Sequence, residues 1–246
     1  MIAEPAGRAA VVTGAASGIG LAIATRCGER GMRVLLADRD AEGAEREAER
    51  LRSSGAEAHA ARVDVADPDD VDALAATAAE VLGPVHLLVN NAGVVASGRS
   101  WELPLEEWHR VVDVNLWGVV HGLRSFVPGM LAGGEPGHIV IVGSMASVQP
   151  RAFISPYVAT KHALLGLADA LRAELEADGA AIGVSLVMPG RISTAMNPEG
   201  APASDVAEVV ELAIRHDLPY VFNDADRLPA VAARFEAILR GGDPRR

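Results

Sequence analysis

Short apolar runs alternate along the chain with longer stretches whose apolar positions recur at helical spacing. Arg8 to Thr13 predicts a buried strand, followed by a helix from about Gly18 to Arg30. Arg33 to Ala37 predicts a second strand, and a charged helix follows from about Ala41 to Ser53. A third strand ends at Val63, and Pro68 opens the next helix, where its missing N–H is no loss. Val85-His86-Leu87-Leu88-Val89 predicts a fourth strand, buried on both faces. One long helix is expected from about Pro104 toward Met130. A fifth strand from His138 to Val142 precedes a helix that holds Tyr157 and runs to about Ala177, and Ile182 to Val187 predicts a sixth. A helix from about Ser204 to His216, a short strand Tyr220-Val221-Phe222 and a last helix near Arg227 to Leu239 complete the pattern.

Such alternation is that of a parallel sheet covered by helices on both faces. The expected fold is therefore α/β, a single doubly wound domain over residues 1–246 with about seven parallel strands. After the sixth strand the loop signals are Pro189-Gly190 and the Pro/Gly-rich Asn197 to Ala203. Residues 195–203 are expected to form a short loop on the substrate side, and 204–246 a C-terminal segment.

Composition narrows the function more by exclusion than by indication. Half of the residues are hydrophobic and 22% are charged, which is ordinary for a globular protein. The net charge of −11, with no basic run longer than Arg245-Arg246, argues against a nucleic-acid partner. Cys27 is the only cysteine, so no intrachain disulfide is possible. The seven histidines lack ligand-like spacing, and no metal site is expected. No apolar run reaches the ~18 residues of a membrane span, and no signal peptide is read at the start. A cytoplasmic location is expected.

Chemistry concentrates at strand ends. Thr13-Gly14-Ala15-Ala16-Ser17-Gly18-Ile19-Gly20 follows the first strand. Glycines at a strand-to-helix turn let the backbone approach a pyrophosphate, whose charge the helix N-terminus favours. The spacing is G-x-x-x-G-x-G, and a packing turn is the bland alternative. Asp38, 18 residues after Gly20, stands where an acid is expected to hold the ribose hydroxyls of an adenosine. Such a carboxylate repels a 2′-phosphate, by about 4 kcal/mol for unit charges ~4 Å apart at an effective dielectric near 20. NAD is therefore favoured over NADP, with Arg39 as the complication. Asp64 and Val65 could bracket an adenine, and Asn90-Asn91-Ala92-Gly93 closes the fourth strand on the ligand side of the sheet. Tyr157 and Lys161, four residues apart on a helix, lie roughly 40° from each other around its axis. Ser155 is a candidate N-cap and Pro156 a first-turn residue. A nearby cation and the helix dipole would both favour the phenolate, giving an acid–base group for redox chemistry at an alcohol carbon.

With Asn115, Ser144, Tyr157-Val158-Ala159-Thr160-Lys161 and Pro189-Gly190 in order, the chain resembles the short-chain dehydrogenase/reductase family over roughly residues 8 to 194. The resemblance implies a Rossmann domain, a nicotinamide cofactor and a catalytic tetrad of Asn115, Ser144, Tyr157 and Lys161. Tyr157 would exchange the proton with substrate oxygen, and Ser144 would donate a hydrogen bond to it. Lys161 would depress the Tyr157 pKa and hold the nicotinamide ribose, while Asn115 would anchor a water relay. The cofactor would contact Gly14, Ser17, Gly18, Ile19, Gly20, Asp38, Arg39, Asp64, Val65, Asn91, Ala92 and Gly93, with Pro189, Gly190, Ile192 and Thr194 on the carboxamide side. A homodimer or homotetramer through the helices containing Asn115 and Tyr157 is also implied.

The family pattern thins after Thr194, so 204–246 is a divergent segment and an open cleft with a short lid is expected. Position puts Val95, Met145, Gln149, Arg151, Phe153 and Met196 near the substrate, a mostly apolar set that suits a secondary alcohol or ketone with a hydrophobic body. Arg151 admits an acidic substituent and equally reads as an exposed arginine. Two other readings stay open: a non-catalytic dinucleotide sensor, and a relative of sugar-nucleotide epimerases or dehydratases, which need a larger C-terminal domain.

Overall fold

A computed structural model describes residues 2, 4–193 and 199–241. Seven parallel strands form one sheet in the order β3-β2-β1-β4-β5-β6-β7. The strands are β1 (Ala9–Thr13), β2 (Arg33–Asp38), β3 (Ala58–Arg62), β4 (Leu87–Asn90), β5 (Gly137–Val142), β6 (Ile182–Met188) and β7 (Tyr220–Phe222). Among the described residues the helices are α1 (Gly18–Glu29), α2 (Ala41–Ser53), α3 (Pro68–Leu82), α4 (Leu105–Val112), α5 (Gly118–Gly133), α6 (Ser155–Ala177), α7 (Ala203–His216) and α8 (Leu228–Arg240).

Side chains of successive strand residues point to opposite faces, and both faces are apolar. Val11, Ile139 and Ile141 pack into one core with α3, α5 and α6. Val12, Val140 and Val142 pack into the other with α1 and α7. Burying one such side chain is worth ~1.5–3 kcal/mol, so a sheet this apolar is stable only when covered on both sides. Strand order reverses at β1, which pairs with β2 on one side and β4 on the other. The crevice that forms there at the carboxyl ends of the strands is the position where such sheets bind ligands.

Two local expectations need correction. The stretch expected as one long helix is interrupted by a π-helical turn, Asp113–Trp117, between α4 and α5. The turn carries Asn115, whose side chain is tied to the Val94 backbone rather than left to solvent. Ser155 is not the N-cap of α6 but its first residue, its hydroxyl 2.5 Å from that of Ser100, and Ile154 occupies the cap position.

The β1–α1 turn explains its glycines. Gly14 has φ +65°, a region that disfavours side chains, and a Cβ on Gly20 would strike the Gly14 carbonyl oxygen and lie 2.5 Å from Asn91 Nδ2. Gly129, on exposed α5 surface, has nothing within 4 Å of such a Cβ. Urea unfolding is therefore expected to show Gly20→Ala losing ~1–3 kcal/mol and Gly129→Ala gaining up to ~1 kcal/mol. Equal effects at the two positions would contradict this packing.

Candidate active site

The end of β1 is stapled to the end of β4. Buried Thr13 Oγ1 accepts the N–H groups of Asn91 at 3.0 Å and Ala92 at 3.2 Å, and donates to the Val89 carbonyl. Asn91 Nδ2 donates to the carbonyls of Thr13 at 2.8 Å and Gly14 at 3.1 Å. Asn91 therefore does structural work as well as facing the crevice. Ser17 caps α1 in an extended conformation with no side-chain bond to the first turn, so the N–H groups there are open to an anion.

From this turn a cleft of about 360 Å³ extends across the β2 and β3 ends. Gly14, Ser17, Gly18, Ile19, Asp38, Arg39, Asp64, Val65, Asn91, Ala92 and Gly93 line it, and Tyr157 and Lys161 close its far end. Gly20 does not face it and lies beneath, making room for the Gly14 carbonyl. Asp38 Oδ2 accepts the Ala16 N–H at 2.9 Å and Oδ1 the Asp40 N–H at 3.0 Å. Each oxygen keeps a second lone pair for a ribose hydroxyl. Asp64 Oδ1 accepts the Ala66 N–H at 3.1 Å, which fixes the loop beside the nearly buried Val65.

The four tetrad residues converge beyond Gly93. A Cβ on Gly93 would sit 3.5 Å from Asn115 Oδ1 and 3.7 Å from Lys161 Nζ. Asn115 is fully buried, accepts the Val94 N–H at 2.8 Å and donates to the Val94 carbonyl at 2.9 Å. Its amide also donates to Thr160 Oγ1 at 3.3 Å, and Thr160 donates to the Tyr157 carbonyl. Thr160 thus joins the π-turn to the first turn of α6, a role the sequence pattern had not marked. Ser144, just past β5, holds the following turn by accepting the Ala146 N–H at 3.1 Å, and its hydroxyl is near enough to the Tyr157 phenol to lower its pKa.

Electrostatics differ from expectation. Burial raises the Tyr157 phenol above its ordinary range, and the Ser144 hydrogen bond pulls it part of the way back. The net shift is therefore upward although Lys161 is near: Nζ lies 5.6 Å from the phenol ring centroid and donates to the Val142 carbonyl at 2.7 Å. Burial lowers the lysine itself, from 10.5 to about 8.

A wider compartment of about 770 Å³ opens on the other side of Tyr157. Val95, Met145, Gln149, Arg151 and Phe153 line it, together with Ser144, Pro189, Gly190 and Ile192. Thr194 and Met196 lie outside the described residues, as do residues 195–198 of the expected 195–203 loop. Where the chain is described again it returns to the compartment, with Ala201 N–H donating to the Arg191 carbonyl at 2.9 Å. The C-terminal segment contributes residues that local pattern could not reveal. Asn223 Oδ1 accepts the Gly190 N–H at 2.8 Å, and Arg227 lines the compartment. Val231 of α8 enters the core, and Arg234 donates to the Val148 carbonyl at 2.9 Å.

The Lys161 shift makes a stability prediction. A lysine whose pKa falls on folding costs stability below about pH 8, and that cost fades as pH rises toward 10.5. The full shift corresponds to roughly 3 kcal/mol. Lys161→Met is thus expected to be ~1–3 kcal/mol more stable than wild type in urea unfolding near neutral pH, allowing for the lost Val142 bond. The gain shrinks by about pH 9.5. A gain that does not change with pH would contradict the buried cation.

The comparisons agree with this geometry. A family model described as short chain dehydrogenase matches residues 8–204. A 1-deoxy-11-beta-hydroxypentalenate dehydrogenase of Streptomyces exfoliatus is 40% identical over 246 residues, spanning 95% of this chain and 89% of that protein. The crystal structure of a short chain dehydrogenase/reductase from Burkholderia phymatum in complex with NAD superposes with a TM-score of 0.94 at 34% identity, covering 98% of this chain and 97% of that one. A short chain dehydrogenase from Burkholderia cenocepacia J2315 in complex with NADP gives 0.83 at 30% identity over 89% and 97%. The chain belongs to the short-chain dehydrogenase/reductase family and is an oxidoreductase of CH–OH groups that uses a nicotinamide cofactor.

Proposed function

We propose that the enzyme oxidises a secondary alcohol bearing a hydrophobic body, or reduces the matching ketone, with NAD as cofactor and Tyr157 as the general acid/base. The observation that carries this reading is the position of Tyr157, which lines both the glycine-turn cleft and the wider compartment. The cradle fits a dinucleotide: the tight glycine turn brings backbone to the cleft wall at Gly14 and Gly18, and the first turn of α1 offers N–H groups with no side-chain cap. When bound, the nicotinamide supplies the hydride acceptor or donor. Ser144 and Tyr157 then hold the substrate oxygen between them. In oxidation the Tyr157 phenolate takes the hydroxyl proton as the carbinol C–H bond breaks, and in reduction the phenol returns it. Lys161 holds a positive charge near the phenol and, with its three N–H donors, can reach a ribose hydroxyl as well as Val142. Asn115, whose amide is already committed to Val94 and Thr160, acts by fixing the π-turn around which a proton relay runs.

Asp38 supports NAD, since a 2′-phosphate would meet its carboxylate at the cleft wall, while Arg39 on the same wall moderates the preference. The helical stretch around Asn115 leaves Leu105 and Trp117 exposed, which supports self-association through the helices containing Asn115 and Tyr157 as a dimer or tetramer. A cytoplasmic location accords with the nicotinamide chemistry.

Turnover of a panel of secondary alcohols with NAD⁺ and NADP⁺ tests the proposal. Bulky apolar alcohols are expected to be oxidised, with kcat/KM at least ~10-fold higher for NAD⁺, and Asp38→Ala is expected to narrow that ratio. Turnover of small hydrophilic alcohols alone, or a preference for NADP⁺, would overturn the respective parts.

A further inference from the structure

We propose that the substrate carries a carboxylate and that Arg151 and Arg227 hold it at the wall of the wider compartment. This rests on the reading of that compartment as the substrate site. The chain has 33 acidic residues against 22 lysines and arginines, yet among the described residues the compartment is lined by three arginines, Arg151, Arg191 and Arg227, and by no aspartate or glutamate. They come from separate parts of the chain: the loop before α6, the turn after β6 and the segment after β7. Glu199 and Asp224 pair with two of the three from beside the lining.

Partners divide the three. Arg191 lies beside the Pro189-Gly190 turn, 3.9 Å from Glu199. Arg227 Nε is 2.8 Å from Asp224 Oδ2, a pairing that leaves its remaining N–H groups free to face the compartment. Arg151 has no ion pair among the described residues. The wall therefore keeps an uncompensated positive charge inside a protein of net charge −11, and a concave low-dielectric surface focuses such a field. A planar guanidinium matches a carboxylate with two parallel hydrogen bonds, which makes it selective for that group over a neutral ester of the same shape.

The loop that presents Arg151 is built rather than loose. Phe153 holds φ +66°, a conformation unfavourable for a bulky side chain, and its carbonyl accepts the Gly98 N–H at 2.8 Å. Residues held this way cluster at ligand sites. The substrate so defined is a hydroxy acid: an apolar body against Phe153 and Met145, the reacting oxygen at Ser144 and Tyr157, and the carboxylate at the two arginines.

The test is steady-state kinetics with NAD⁺ on ring-bearing secondary hydroxy acids paired with their methyl esters, for wild type, Arg151→Met, Arg151→Lys and Arg151→Met/Arg227→Met. Wild type is expected to prefer each acid over its ester by about tenfold or more in kcat/KM, chiefly through KM, with the advantage shrinking as salt is raised. The double variant is expected to bring the ratio close to one through loss on the acid, Arg151→Lys to keep part of the preference, and the KM for NAD⁺ to stay unchanged. Equal turnover of acid and ester by wild type overturns the carboxylate while leaving the dehydrogenase reading standing. A variant that loses acid and ester alike, or whose KM for NAD⁺ rises, overturns it by making the arginines structural or cofactor-bound. Oxidation of neither series while apolar neutral alcohols are turned over also overturns it, and turnover of no alcohol at all defeats the site reading beneath it.

Discussion

Lys161 places an ammonium where only 3% of the residue meets solvent, and burial lowers its pKa to about 8. A cation in that position costs folding energy unless donors and acceptors are arranged around it, and the surrounding structure is that arrangement. The Val142 carbonyl at the end of β5 takes one N–H. Gly93 lies against Nζ, and Asn115 braces the loop holding Gly93 by pairing with both polar groups of Val94. Asn115 can reach that loop because the helix widens into a π-turn there. The same lysine lies one turn along α6 from Tyr157, so the tolerance of one buried charge fixes strand end, loop, helix and phenol together.

The phenol itself starts on the unfavourable side of its task. Burial raises its pKa, and Ser144 offsets only part of that rise. In the proposed reaction such a group relies on charge and hydrogen bonds brought close when cofactor and substrate are bound. Lys161 is the positive charge at hand, held against the ring and the Val142 carbonyl. The position of Tyr157, on the wall shared by both clefts, matters as much as its pKa: the proton must move where cofactor and substrate meet.

Much of this was legible in the sequence. Strands announced themselves because both faces are buried, leaving apolar runs such as Val85 to Val89 with little ambiguity, and the glycine turn, Asp38 and Tyr157-x-x-x-Lys161 fell at strand and helix ends as the α/β pattern requires. What stayed hidden depends on contacts far apart in the chain. A π-turn at Asp113–Trp117 leaves the apolar periodicity almost intact, so it reads as ordinary helix until Val94 is seen to bind Asn115. Gly20 looked like a cofactor contact because glycines in such turns share one signature, whether they face the ligand or pack beneath it. Asn223, Arg227 and Arg234 sit in the segment where family motifs stop, yet they return to the turns at Gly190 and Val148 that shape the substrate side. The expected fall in the Tyr157 pKa failed because spacing reveals a neighbouring cation but not the desolvation that opposes it.

The central claim is that one phenol carries the proton between two adjoining clefts. Its most direct test is Tyr157→Phe, measured both for NADH binding by fluorescence titration and for oxidation of the best alcohol substrate. The account predicts NADH affinity within about twofold of wild type and turnover reduced at least ~10²-fold. Turnover retained within tenfold of wild type, with binding intact, would contradict it.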